Sequence, residues 1–213
     1  MLIRRTAGIF RRFRHADKGL AAVEFALLVP VLIPLLFGMG ELSLALFARS
    51  DITQIASTVA DLVAQNSTVT STDLGNVYNA ANTILYPFYN GSTTAGDPKA
   101  NKATVRITSV IYNTTTSSLT VGKVAWTCSQ SGTGVSGTLS PASRKTNDLV
   151  TFAAPLLSSG SSVLMVEVAY SYTSPTTKVI AGSYNMTDQF YTKPRRVAQI
   201  PAPTSVPPGT NCA

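Results

Sequence analysis

The chain has 213 residues, two cysteines, one histidine and a formal net charge of +7. The single histidine, His15, lies in a basic leader, so no Ser/His/Asp set, zinc-ligand cluster or phosphate-cradling glycine loop can be assembled beyond it. An enzyme is not expected, nor a metal or a cofactor. Residues 1–19 hold Arg4, Arg5, Arg11, Arg12, Arg14 and Lys18 against Asp17, which leaves only +2 for the rest of the chain. The basic balance therefore reads as a topology signal, and nucleic acid is not an expected partner.

Gly19 closes this leader and opens an apolar run from Leu20 to Phe47 whose only charges are Glu24 and Glu41. A bilayer core of about 30 Å takes about 20 apolar residues as helix, so the run is long enough to span. The cationic leader then puts the N-terminus in the cytoplasm and the residues after the run outside. A carboxylate in such a run costs roughly 2.5–3.5 kcal/mol at the bilayer centre and usually marks a function. Three readings compete. One is a plain signal anchor with Glu24 reaching the headgroups. Another is a secretory signal cut near Ser43-Leu44-Ala45, which the long leader, the Glu and Pro30 and Pro34 suit poorly. The third is a prepilin-type signal cut after Gly19. In that case Leu20 becomes the N-terminus and Glu24 the fifth mature residue, one helical turn from a new α-ammonium. In a helical assembly the carboxylate could pair with a neighbour's ammonium and set register.

The stretch Gly19-Leu20-Ala21-Ala22-Val23-Glu24-Phe25-Ala26-Leu27, followed by Pro30, Phe37-Gly38 and Glu41, resembles the N-terminal signature of TadE-like pseudopilins of the tight-adherence (Flp, type IVc) pilus system. The likeness continues at Trp126-Thr127-Cys128, at Val166 to Tyr172 and at Phe190 to Arg196. Phe25 stands where major Flp pilins usually carry Tyr, and the chain is much longer than they are; both departures favour a minor component. The resemblance implies cleavage after Gly19, with Gly19 and Leu20 as the processing site and Glu24 and Phe25 in subunit registry. It further implies a single-pass inner-membrane protein with a periplasmic domain, which can reach the cell exterior in the pilus. The role would be to prime or cap pilus assembly and contribute to adhesion. Its partners would be a prepilin peptidase, other minor pseudopilins, the major Flp pilin, the inner-membrane assembly platform and the lipid bilayer. Two alternatives stay open: an uncleaved periplasmic scaffold of the same system, and an exported adhesin or binding domain released by signal peptidase.

The elements that follow are read in chain order. Pro30 and Pro34 each remove a backbone hydrogen bond, so the helix should kink or loosen there. Glu41 would face headgroups or pair inside an assembly. Ile52, Ile55, Val59 and Leu62/Val63 recur at three- and four-residue spacing, which continues the helix to Asn66 as an amphipathic stalk. From Leu20 to Asn66 it would measure about 70 Å. A second helix is predicted from Ser71 to about Phe88, capped by Ser71 or Thr72, with Leu74, Val77, Ala81, Ile84 and Phe88 as its core face. Strands are predicted from Ala103, over Leu119–Cys128, Leu149–Ala153 and Leu164–Tyr172, and near Gln189–Thr192. The first two are joined through an Asn113–Ser118 turn, and residues 129–140 and 158–162 are loops. Asp73, Asp97, Asp148 and Asp188 read as capping or solvated, and Lys193-Pro194-Arg195-Arg196 as a solvated edge that could touch headgroups or a partner.

The expected fold is α+β: a long N-terminal transmembrane helix continuing into a pilin-like extracytoplasmic domain with a second helix and an antiparallel sheet around one core. The expected organisation is leader 1–19, membrane helix 20–47, domain 48–200 and Pro-rich tail 201–213. In an oxidising compartment Cys128 and Cys212 would form a disulfide that ties this tail to the sheet. Free or intermolecular thiols are the alternative.

Overall fold

The computed structural model describes residues 19–89, 91, 98–115, 118–153, 155–174 and 183–213. The basic leader with His15, the position Asp97 and part of the 113–118 turn lie outside the described residues.

Helix α1 runs Leu20–Ala64 without interruption through Pro30 and Pro34. Its two halves have different surroundings. From Ala21 to Gly40 no described side chain is buried, and Phe25 and Leu27 are 64% and 74% exposed. Burial begins at Glu41 and continues through Ala48, Ile52, Ile55, Val59 and Val63, all 0–2% exposed. The stripe read from spacing is therefore the face that docks. Burying its four β-branched residues contributes about 6–12 kcal/mol gross at about 1.5–3 kcal/mol each, which holds this half on the domain. The naked half is about 30 Å long at 1.5 Å per residue. This helix alone is long and apolar enough to cross a membrane among the described residues.

After a short turn, α2 spans Ser71–Ile84. Its cap is Thr70, one residue earlier than expected. Thr70 Oγ1 accepts the Asp73 N–H at 3.2 Å, and Asp73 Oδ2 accepts the Thr70 N–H at 2.9 Å. The three-residue spacing from Thr70 to Asp73 is what a capping box needs, and neither Ser71 nor Thr72 has an acid at that offset. Leu74, Val77 and Ala81 are buried as expected. The helix stops at Ile84, with turns continuing to Phe88.

Among the described residues seven strands form a largely antiparallel sheet. They are β1 (Lys102–Tyr112), β2 (Val121–Gln130), β3 (Val135–Ser136), β4 (Leu149–Thr151), β5 (Ser162–Thr173), β6 (Ser183–Thr192) and β7 (Thr210–Cys212). The order across the sheet is β4-β2-β1-β5-β6. Strand β7 adds to β2 beyond β4, and β3 pairs in parallel with the first residues of β1. The arrangement is α+β, with α1 and α2 on one face of the sheet.

The alternation read from β1 and β5 places Val105, Ile107, Val166, Val168, Tyr170 and Tyr172 against the helices, where all are buried. The residues between them do not face water. Arg106, Thr108, Met165 and Glu167 are also buried, because residues 138–157 fold over the outer face. There Val110, Val124, Val150, Phe152, Leu157, Val163 and Met165 make a second, smaller core. A bulge helps to build it: Ser109 pairs with Trp126 but Val110 pairs with Val124, leaving Ala125 as the extra residue. The phase of β2 flips there, so Trp126 and Cys128 face the helices while Val124 faces outward. Gly137 permits the overlying loop to approach, since a Cβ there would lie 2.4 Å from the Ala169 carbonyl carbon and its φ is +100°.

Two segments are more ordered than expected. The Pro-rich tail ends in β7, and the strand predicted near Gln189–Thr192 is the end of a ten-residue strand. In addition, the loop predicted over 129–140 contains the two residues of β3.

Candidate functional site

The residues proposed for processing and registry lie at the start of α1. Gly19 occupies the N-cap position, with no side-chain cap, and Leu20 opens the helix. Glu24 and Phe25 are exposed on the naked half. Glu24 is four residues beyond Leu20, so the two share a helix face one turn apart. The helix start carries orphan N–H groups and the positive end of the helix dipole, an environment that favours a carboxylate over a second cation.

Glu41 marks the change of surroundings. It is 2% exposed, so it does not face open solvent as an interfacial carboxylate would. It approaches Tyr172 at the end of β5, whose phenol is held above its ordinary range first by burial and then by the Glu41 charge. Phe88 packs edge-on against the same Tyr172 ring, 5.8 Å between centroids. On the opposite side of the helix Leu42, Leu46 and Phe47 stay exposed at 58–64%. The helix therefore leaves the domain asymmetrically, with apolar surface continuing past Glu41 on one side only.

Three clamps hold the domain to α1 and close its sheet. At the far end of α1, Arg195 donates its backbone N–H to the Ala64 carbonyl at 2.9 Å and its guanidinium to Asp61 at 2.8 Å. The basic cluster read as a solvated edge thus satisfies a helix C-terminus, although the ion pair itself is half exposed and contributes little. Midway, Arg49 donates to the Thr187 carbonyl and Thr53 to the Asp188 carboxylate, joining α1 to β6. Across the sheet, Cys128 and Cys212 stand opposite each other and are joined by a disulfide. The neighbouring Thr127 and Ala213 exchange two 2.9 Å backbone hydrogen bonds, so the cysteines occupy the closer, non-hydrogen-bonded type of pair.

The charged group that the sequence reading missed lies under the 138–145 loop. Glu167 accepts from Arg106 Nε at 2.8 Å and from Arg144 Nε and Nη2 at 3.0 Å each. Arg106 also donates to the Pro141 carbonyl at 2.8 Å. Burial opposes ionisation of Glu167, but the two guanidinium groups outweigh it and hold the carboxyl below its ordinary range. An arginine and a glutamate at the polar positions of two alternating strands were the available signal, but their register was not.

The family model described as TadE-like protein matches residues 19–61, the span from the N-cap of α1 nearly to its end. No curated protein and no solved structure matches the chain.

Proposed function

We propose, from the TadE-like segment at residues 19–61, that this protein is a minor pseudopilin of the Tad (Flp, type IVc) pilus system. The TadE-like match supports involvement in that system, and the helix is compatible with a single-pass membrane protein. One observation carries the reading further. A naked apolar stretch of bilayer length runs without a break into a half that is buried on the domain. A plain anchor needs only a tether, whereas a rigid continuation couples the domain's position to the helix. That coupling is what a subunit packed by its helix in a fibre requires.

On this reading the basic leader stays in the cytoplasm and a prepilin peptidase cuts between Gly19 and Leu20. The new α-ammonium of one subunit pairs with Glu24 of another, and a subunit out of register would leave a charge unpaired in an apolar bundle. Phe25 sits beside this pair. The major Flp pilin, other minor pseudopilins and the assembly platform are the partners, and the role is to prime or cap the fibre and support adhesion. The function is structural, not enzymatic.

N-terminal sequencing of the protein from membranes, with and without the cognate peptidase, tests this. A peptidase-dependent start at Leu20 is expected. A start at Met1 in both strains would point instead to an uncleaved scaffold, and a start near Leu46 to a secreted domain.

A further inference from the structure

A polar cleft lies between α2 and the β2–β7 edge of the sheet, with a volume of about 530 Å3. Tyr78 and Asn82 are one turn apart on α2, while Gln130 and Thr210 are cross-strand partners on β2 and β7. All four line this cleft. Asn82 Oδ1 and Gln130 Oε1 are withdrawn from water without a hydrogen-bond partner. Tyr78 Oη and Thr210 Oγ1 stand close to each other without a hydrogen bond of ordinary geometry. Burial pushes the Tyr78 phenol well up, which the nearby Thr210 only partly offsets, so the hydroxyl stays protonated.

A buried polar atom left unpaired costs about 1–3 kcal/mol, and native folds keep few of them. Two such amide oxygens, Asn82 Oδ1 and Gln130 Oε1, belong to residues that line one cleft beside the Tyr78–Thr210 hydroxyl pair. The chemistry of a fitting ligand follows from the lining. Amide oxygens need donors, and the two hydroxyls can give or accept. Lys102 is the cation of the lining, which contains no carboxylate, so a cationic ligand or a divalent metal does not fit. Pro207 and Pro208 add an apolar wall. That wall is fixed by the next residue: Gly209 has φ +75°, and a Cβ on it would lie 2.9 Å from the Ser131 carbonyl oxygen. A ligand with several hydroxyls on a compact apolar ring satisfies each of these features, and the volume lies within the range of small-molecule sites.

We propose that the cleft formed by Tyr78, Asn82, Lys102, Gln130 and Thr210 binds a saccharide. This goes beyond the pilus reading and does not depend on leader cleavage. The test is saturation-transfer NMR on the full-length protein in a sugar-free detergent, with glucose, galactose, mannose, N-acetylglucosamine and glucuronate as probes. Transfer to at least one probe is expected, with about tenfold or greater weakening in Asn82→Ala and Gln130→Glu and none in the distant Tyr184→Ser. No transfer to any probe would overturn the proposal, as would transfer that survives both cleft substitutions. Should either variant misfold, titrating the bound saccharide into the unaltered protein gives the same decision. The side-chain amide signals of Asn82 and Gln130 must shift, and unmoved signals refute the site.

Discussion

Arg106 on β1 and Glu167 on β5 stand opposite each other in register and meet at 2.8 Å, with their side chains only 2% and 5% exposed. Arg144 closes on the other oxygen of the same carboxylate from the overlying loop. Two cations and one anion thus share a site between the sheet and residues 138–145. Such a group does not by itself stabilise a fold more than apolar packing would. What it does is fix position: the loop that covers the outer core is tied to the sheet through Arg144 on Glu167 and through the Pro141 carbonyl on Arg106.

Removing that carboxylate should therefore be costly. Glu167→Gln strands two guanidinium groups, and a loss of about 3–5 kcal/mol in denaturant unfolding is expected. Arg144→Gln should cost less, because Arg106 still pairs with Glu167 and Arg144 is partly exposed. Acid acts in the same direction. The folded carboxyl lies below its ordinary range, so its contribution is fully present above that range and is lost as pH falls through the lowered value. Unfolding midpoints measured from neutral pH into the acid range should fall more steeply in the native protein than in Glu167→Gln; parallel curves would refute the assignment.

Periodicity made the helix-facing half of this fold legible and the outer half illegible. Ile52, Ile55, Val59 and Val63 on α1, and Leu74, Val77 and Ala81 on α2, are buried where their spacing put them. So are Val166, Val168, Tyr170 and Tyr172 on β5. The other face of β1 and β5 carries Arg106, Thr108 and Glu167 in sequence, yet it is covered by the segment from Thr138 to Leu157, whose buried Leu139, Val150, Phe152 and Leu157 follow no sustained strand or helix period. The bulge at Ala125 adds to the difficulty, because a strict period of two cannot show a phase change within β2. Strand β7 has three residues and owes its place to pairing with β2, not to any pattern of its own. For the candidate site, the signature from Gly19 to Phe25 was readable as chemistry. The burial of Glu41 was not, since it depends on where the end of β5 meets the helix.

Thr70 offers a smaller, local test. Thr70→Ala removes the oxygen that accepts the Asp73 N–H, and about 1 kcal/mol should be lost, whereas Thr70→Ser should be nearly neutral. The Asp73 carboxyl is lowered by its side-chain and backbone hydrogen bonds with Thr70, so this contribution too is present at neutral pH and fades as pH drops. Equal effects of the Ala and Ser substitutions in thermal unfolding would rule out the cap.

The disulfide closes a loop between residues 84 apart, and reduction should lower stability by about 2–4 kcal/mol. Its loss should release the last strand first, because among the described residues β7 pairs only with β2 and has three residues. Hydrogen exchange at Thr210 to Cys212 in oxidised and reduced protein checks this. Alkylation of the exported, unreduced protein should add no label, and two reactive thiols would remove the bond from the account.

Glu24→Gln separates the assembly role from mere anchoring. The substitution keeps the size of the side chain and deletes its charge, so insertion should persist or improve, since a neutral amide is cheaper to bury than a carboxylate. If the carboxylate pairs with a neighbour's new α-ammonium, the variant should be membrane-bound, processed at Gly19 and defective in pilus formation. Glu24→Asp should recover part of the activity, because the charge returns on a shorter side chain. Fractionation, N-terminal sequencing and electron microscopy of the same cells read the three properties separately. Normal pili in Glu24→Gln would sink the pairing mechanism, and loss from the membrane would mean that Glu24 acts in insertion and not in assembly.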